Sequence, residues 1–234
     1  MRPSSTPPWL LLLASAILAV GFCFAGCRQP ATPPDASATS CVNPPVTLRQ
    51  TFDCLRAWRA QGSYEAVHSY VDPAASEDLI DLLIVVDEIM AANAGAQQAI
   101  RRVCPQLDTR QCDLSYLEQY MGFFSKDVTY IRDVQKGDEA IVTAQVADHM
   151  PLVELRFRRQ RGPRQSERWL YVPGETMPEL VPLLRDVARA LDQVTLVLSA
   201  SKGMGPQEVR HEFEVRLRPR LKRIAAAATQ ASEH

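Results

Sequence analysis

Ser199 and Lys202 stand at the SxxK spacing, which lets a lysine amine take the proton from a nucleophilic serine. No KTG sequence accompanies them, and a helix end with a solvated lysine meets the same spacing. Asp148 and His149 have the types of an acid–base pair but fall between two predicted strands, where a turn uses the same residues. Asp87 and Glu88 would suit general acid and base work in a cavity, yet their helical phase sets them on the wet side of an amphipathic segment. His68 lies on the apolar side of a short helical segment, the place of a hydrogen-bonded structural histidine. GxSxG, HExxH, a Walker loop and a dinucleotide fingerprint are all missing. No catalytic residue is nominated.

Two basic clusters are the stronger signal. Arg156, Arg158, Arg159, Arg161, Arg164 and Arg168 bracket one predicted hairpin, and Arg210, Arg216, Arg218, Arg220, Lys222 and Arg223 crowd the carboxyl end. Whole-chain charge does not reinforce them: 26 basic against 27 acidic residues leave −1, so no general attraction to nucleic acid is expected. An anionic lipid or envelope polymer is the partner such clusters suit, and solvated edges of a hairpin and a helix are the plainer use. The six cysteines include no CxxC pair, the usual spacing of a zinc site, so neither metal nor cofactor is expected.

Location follows from the stretch Trp9 to Cys27. Trp9 to Phe24 carries no charge and follows a leader whose basic side chain is Arg2. A helix needs roughly 20 apolar residues to cross a bilayer, so this run suits a signal-peptide core better than a permanent span, an uncleaved anchor helix being the alternative. Phe24-Ala25-Gly26-Cys27 resembles the lipobox of bacterial lipoprotein signal peptides. Phe24 stands where that family usually has Leu. The resemblance implies removal of residues 1–26, a diacylglyceryl group on the Cys27 thiol and acylation of its amine. Two or more chains, at about 0.8 kcal/mol per buried methylene, anchor stably. The implied location is the extracytoplasmic face of the cell membrane or outer membrane, with Arg28 leaning toward the outer one. The mature chain would carry 25 − 27 = −2.

Residues 27–45 then read as a tether. Gln29 to Pro45 is rich in Pro, Ala, Ser and Thr and has little to bury, so it stays extended. Outside the cytoplasm thiols pair. With Cys23 in the leader and Cys27 lipidated, Cys41, Cys54, Cys104 and Cys112 allow three connectivities. Local spacing favours Cys41 with Cys54 and Cys104 with Cys112.

About 190 residues beyond the tether suffice for one ordinary core, so a single domain over 46–229 is expected, with a frayed tail at 230–234. Thr47 and Gln50 form a capping box for a helix carrying Leu48, Phe52, Leu55 and Trp58 on one face. Gln61-Gly62 ends it. A short helix from Ser63 is broken at Asp72-Pro73, and Ser76 starts a long one toward Ile100, apolar over more than one stripe. Asp113 caps a fourth, with Leu114, Leu117, Tyr120, Met121 and Phe124. The period then changes to that of strands at Val128–Val134, Ala140–Val146, Leu152–Arg158 and Arg168–Val172, joined by turns at Lys136-Gly137-Asp138 and Arg161-Gly162-Pro163. Such short connections require antiparallel pairing. A capping box at Thr176 and Glu179 opens a long amphipathic helix, with a bend expected at Pro182. The last segment fits strand or helix; Pro206 and Glu208 favour a helix interrupted at Pro219.

Helices followed by an antiparallel meander imply an α+β fold, amino-terminal helices packed on a curved sheet of about four strands and followed by two carboxyl-terminal helices. Gly62 to Pro73, GSYEAVHSYVDP, after an amphipathic helix, is similar to the second-helix segment of NTF2-like domains, and residues 46–172 follow that outline. The helices after Val172 depart from its simplest form. The resemblance implies a cone-shaped fold that serves isomerases, cyclases and dehydratases as well as inert binding modules. None of the enzymes' catalytic residues matches a position here. The expected function is therefore a non-catalytic binding or scaffolding module in the cell envelope. The alternatives are an enzyme with a cavity of that type and an electrostatic binder working through the arginine clusters.

Overall fold

A computed structural model of the 234-residue chain describes residues 41, 44–114, 124, 128–146, 152–161, 167–174, 178–201 and 203–232. Cys27, Asp148-His149, Arg164, Lys202, Thr176 and most of the helix expected after Asp113 lie outside the described residues. The chain is α+β: helices, then a four-stranded antiparallel sheet, then two carboxyl-terminal helices. Where one domain is expected over 46–229, the described residues gather into two compact units. Residues 41–80 and 124–174 contribute to one, residues 81–114 and 178–232 to the other, with the change falling between Ile80 and Asp81.

The sheet unit begins with α1 (Leu48–Ala60), whose Thr47–Gln50 capping box forms on both sides. Gln61 caps its carboxyl end, and Gly62 takes φ +67°, a conformation that glycine adopts without strain. Leu48, Phe52 and Leu55 are buried, and Trp58 lies half-buried, its ring 5.1 Å from that of Tyr70. The short α2 (Tyr64–His68) stops before Val71. There the chain turns extended and pairs with a strand: Asp72 N–H donates to the Tyr171 carbonyl and Tyr171 N–H to the Tyr70 carbonyl, each at 2.8 Å.

The strands are β1 (Thr129–Lys136), β2 (Glu139–Gln145), β3 (Leu152–Arg161) and β4 (Glu167–Val172), adjacent in that order. Gly137, at φ +63°, makes the β1–β2 turn. Alternation divides the sheet into two faces. Ala140, Val142, Ala144, Leu155, Phe157 and Tyr171 share the buried one. Phe52 of α1 stacks edge-on to Tyr130 at 5.2 Å and to Phe124 at 6.1 Å; Phe124 in turn meets Tyr171 at 5.0 Å.

The other unit is helical: the larger part of α3 (Ser76–Val103), a 3₁₀ turn at Thr109–Cys112, α4 (Leu180–Ala200) and α5 (Pro206–Ser232). Val85, Ile89, Ala96 and Ile100 of α3 meet Leu184, Val187, Leu191, Val194 and Leu198 of α4 and Val209, Leu217 and Ile224 of α5 in one aliphatic core. Gly95 of α3 brings α4 near: a Cβ there would stand 3.8 Å from the Thr195 hydroxyl.

One helix start differs from expectation, and one helix runs on where an interruption is expected. Helix α4 begins at Leu180, so Pro182 is its third residue rather than an interior one, and the missing amide hydrogen is one the first turn leaves unpaired anyway. No bend is required there. Helix α5 does begin at Pro206, with Glu208 Oε2 accepting from Gly205 N–H at 2.7 Å, and it runs through Pro219 instead of stopping. The Arg220 guanidinium donates to the Arg216 carbonyl beside that proline.

The cysteines divide between the units. Cys41 and Cys54 are joined, with Cα atoms 5.7 Å apart, which pins the chain before α1 to that helix. The pairing expected for Cys104 and Cys112 is corrected: both are free and buried. Gln97 Nε2 donates to the Cys112 carbonyl at 2.6 Å, while the Asn93 amide holds Leu114 N–H at 3.0 Å and Asp113 Oδ1 at 2.7 Å. Those α3 residues precede Cys104 by 104 − 97 = 7 and 104 − 93 = 11 positions, or about 10 and 16 Å of helix. The segment 112–114 is thus fastened well up α3 from Cys104, whereas a disulfide needs Cα atoms within about 7 Å.

Candidate functional site

The arginine-rich hairpin is built by strand alternation. In β3, Leu155 and Phe157 point to the buried face, which sends Arg156 and Arg158 to the opposite one. Few of these arginines are at liberty. Arg158 meets Asp72 at 2.6 Å, and that carboxylate also accepts from Ala74 N–H at 3.1 Å. Arg159 lies 4.7 Å above the Trp169 ring and 3.4 Å from Glu167. Arg161 reaches Asp138 at 3.1 Å and Glu167 at 3.7 Å. Arg168 donates to Gln160 Oε1 at 2.8 Å and to the Ser69 carbonyl at 3.3 Å. The Tyr70 hydroxyl is raised above its ordinary pKa by burial, against the lowering influence of Arg168. Among the described members of this cluster, Arg156 alone makes no hydrogen bond or ion pair. At the carboxyl end Arg216 pairs with Glu212, and Arg223 with Asp186 at 3.0 Å.

The register shows a grouping that spacing in the sequence does not. Val134 of β1 stands opposite Ile141 of β2, which stands opposite Arg156 of β3. Arg132 and Lys136 flank Val134 on the same face, and Thr143 and Glu139 flank Ile141. Val134 is 65% and Ile141 40% exposed, so an apolar pair sits in water with three cations and one acid around it. Glu154, opposite Thr143, is the next acid outward. Arg132 and Lys136 belong to neither sequence cluster; the signal for them is strand alternation, legible only once β1 is in register with β2 and β3.

At the far side of β1 the polar groups serve each other. Tyr130 donates to Asp133, Gln135 Nε2 donates to the same carboxylate at 2.8 Å, and Arg49 of α1 lies 4.3 Å over the Tyr130 ring. The two donors hold Asp133 below the usual carboxylate range, Tyr130 first. Burial and then Asp133 push Tyr130 well above the ordinary phenol value.

Among the described residues, those with catalytic types do not converge. Glu88 ion-pairs with Arg185 at 3.5 Å on the exposed side of the helical unit. His68 Nε2 lies 3.1 Å from the Ser76 hydroxyl at the start of α3, a structural contact. Two open surface depressions lie at Gly62–Ala66 with Ser69, and at Met204, Gln207, Glu208, His211 and Glu212. In the second, Glu208 is taken by Gly205 and Glu212 by Arg216. Cys112 is buried, and desolvation pushes its thiol up to about 11, with Arg210 opposing and Glu214 adding to the shift. It is not a thiolate nucleophile at neutral pH. No described helix is long and apolar enough to cross a membrane.

No protein-family model, curated protein or solved structure matches the chain.

Proposed function

We propose that this chain is a lipid-anchored protein of the bacterial cell envelope whose folded part binds or scaffolds without catalysis. The observation that carries the reading is the Cys41–Cys54 disulfide, fourteen positions (41 − 27 = 14) after the lipobox-like cysteine. A disulfide persists in an oxidising compartment, and a signal peptide ending in Phe24-Ala25-Gly26-Cys27 would deliver the chain to one. Acyl chains on Cys27 would hold residues 28–40 at a bilayer and the disulfide would fix where that tether meets α1. The finer fold reading, an NTF2-like unit, is supported by the order helix, short helix, antiparallel meander. Its buried face is occupied by Phe52, Phe124, Phe157 and Tyr171. Side chains packed this way favour binding by the outside of the unit over reaction inside it.

Metabolic labelling with radioactive palmitate in a two-membrane bacterium tests the proposal. Wild-type protein takes label and begins at Cys27; Cys27→Ser takes none and keeps its leader. A mature protein that retains Met1 and an unmodified residue-27 thiol overturns the reading.

A further inference from the structure

Among the described residues, the exposed apolar pair Val134–Ile141 is flanked by three cations without side-chain partners. Arg132, Lys136 and Arg156 make no hydrogen bond or ion pair, although Arg158 and Arg161 nearby are engaged by Asp72 and Asp138. Glu139 is the single acid directly beside the pair, so the ring carries 3 − 1 = +2. Leu152, 56% exposed, adds a third aliphatic side chain on this face.

We propose that this face of the sheet docks on an anionic phospholipid surface, with Val134 and Ile141 at the headgroup–acyl boundary and Arg132, Lys136 and Arg156 on phosphates. Charge complementarity selects the occupant. A second copy laid on the same face would set cations against cations. A second copy pairing antiparallel with β1 about Asp133 would set that carboxylate against itself, and pairing about Val134 would set Arg132 against Lys136, both of them repulsive. A protein partner usually takes an aromatic anchor in a pocket, and this face exposes aliphatic side chains without one. Apolar side chains bordered by Lys and Arg are instead the composition of surfaces that lie in an anionic bilayer interface. The proposal goes beyond acylation of Cys27 and does not require it: loss of the lipid would remove the anchor and leave this face as it is.

Hydroxyl-radical footprinting of the full-length protein, reconstituted in phosphatidylcholine vesicles with or without about 30 mol% phosphatidylglycerol, tests it. With the anionic lipid, labelling of Val134 and Ile141 falls severalfold, while Leu196 and Val215, exposed on the helical unit, are labelled equally in both. Protection of Val134 and Ile141 disappears at about 0.5 M salt, where screening is nearly complete within a few ångströms. Each cation near a negative surface contributes about a fivefold factor, so R132Q/K136Q/R156Q shifts the docked-to-undocked ratio by about a hundredfold. Circular dichroism checks that this variant is folded, and the salt series on the unaltered protein needs no variant. Equal labelling in both vesicle compositions overturns the proposal, as does protection that survives in the triple variant. Protection by soluble polyglutamate but not by the anionic vesicles overturns it in favour of an acidic polypeptide.

Discussion

The helical unit and the sheet unit solve the same problem with different materials. In the helical unit aliphatic stripes on α3, α4 and α5 close around one another, and among the described residues the buried polar side chains within are two amides, Asn93 and Gln97, that fasten the segment 112–114. The sheet unit has one dry face, filled by aromatic rings, and one wet face, where Arg158 meets Asp72; the disulfide holds the entering chain to α1. Burial from several sides turns most apolar side chains of the helices inward, with Leu196 and Val215 left exposed among charges on the outer stripes. A sheet covered on one face keeps a flat, ordered array of side chains for contact. On the proposed reading, docking would fall to the wet face of the sheet unit, while the helical unit turns its aliphatic stripes inward.

Core truncations put the sharpest question to that contrast. Phe52→Ala removes the ring that joins α1 to Tyr130 and Phe124, and a loss of about 3–5 kcal/mol is expected. Leu191→Ala, at a position with no exposure, is expected to lose about 2–5 kcal/mol. Hydrogen exchange separates the two: Phe52→Ala should accelerate amides of β2 and β3, and Leu191→Ala those of α3 and α4. If each variant accelerates both sets equally, the units unfold as one and the contrast in materials has no energetic boundary. Reduction of Cys41–Cys54, which closes a loop of sequence separation 13, should destabilise the sheet unit by about 3 kcal/mol. Cys54→Ser serves as the thermal-denaturation control, and the helical unit, whose thiols are free, should be indifferent to reductant. Asn93→Ala strands the Leu114 amide hydrogen in the helical unit, for about 1–3 kcal/mol by urea titration. Arg158→Gln on the wet face should lose no more than about 1 kcal/mol, because the arginine is half exposed even though Asp72 is nearly covered.

What the sequence made legible follows the same division. Local signals read through to structure wherever a few neighbouring residues decide the outcome: the Thr47–Gln50 box, Gly62 after α1, Gly137 in the hairpin and the alternation of Val153, Leu155 and Phe157 in β3. Long-range matters did not. Cys104 and Cys112 look like a local pair because eight positions separate them, but the amides that fasten residues 112–114 sit far up α3, and nothing near either cysteine announces them. Pro182 looked interior because the preceding Thr176 and Glu179 resemble a capping box, while α4 starts at Leu180. Arginine clustering in β3 was plain, yet which arginine is at liberty depends on acids brought in from the α2–α3 connection and the β1–β2 turn.

An effect confined to alkaline pH is the cleanest discriminator between the units, because it vanishes at neutral pH. Burial raises the Cys112 thiol from 9.0 to about 11, with Arg210 lowering and Glu214 raising it secondarily. Below pH 9 the thiol keeps its proton both folded and unfolded, so it adds no pH dependence. Between 9 and 11 the unfolded chain releases the proton while the folded one retains it, so the unfolded state binds fewer protons and stability must fall as pH rises. Cys112→Ala removes that slope and leaves stability below pH 9 changed only by the lost packing. Urea titrations of the two proteins across this range measure the difference, read from exchange in α3 and α5. The sheet unit has its thiols locked as a disulfide, so its amides should show no Cys112-dependent slope. A slope appearing in both units would mean that the helical core and the sheet exchange free energy, and that the division of labour between them is one of composition alone.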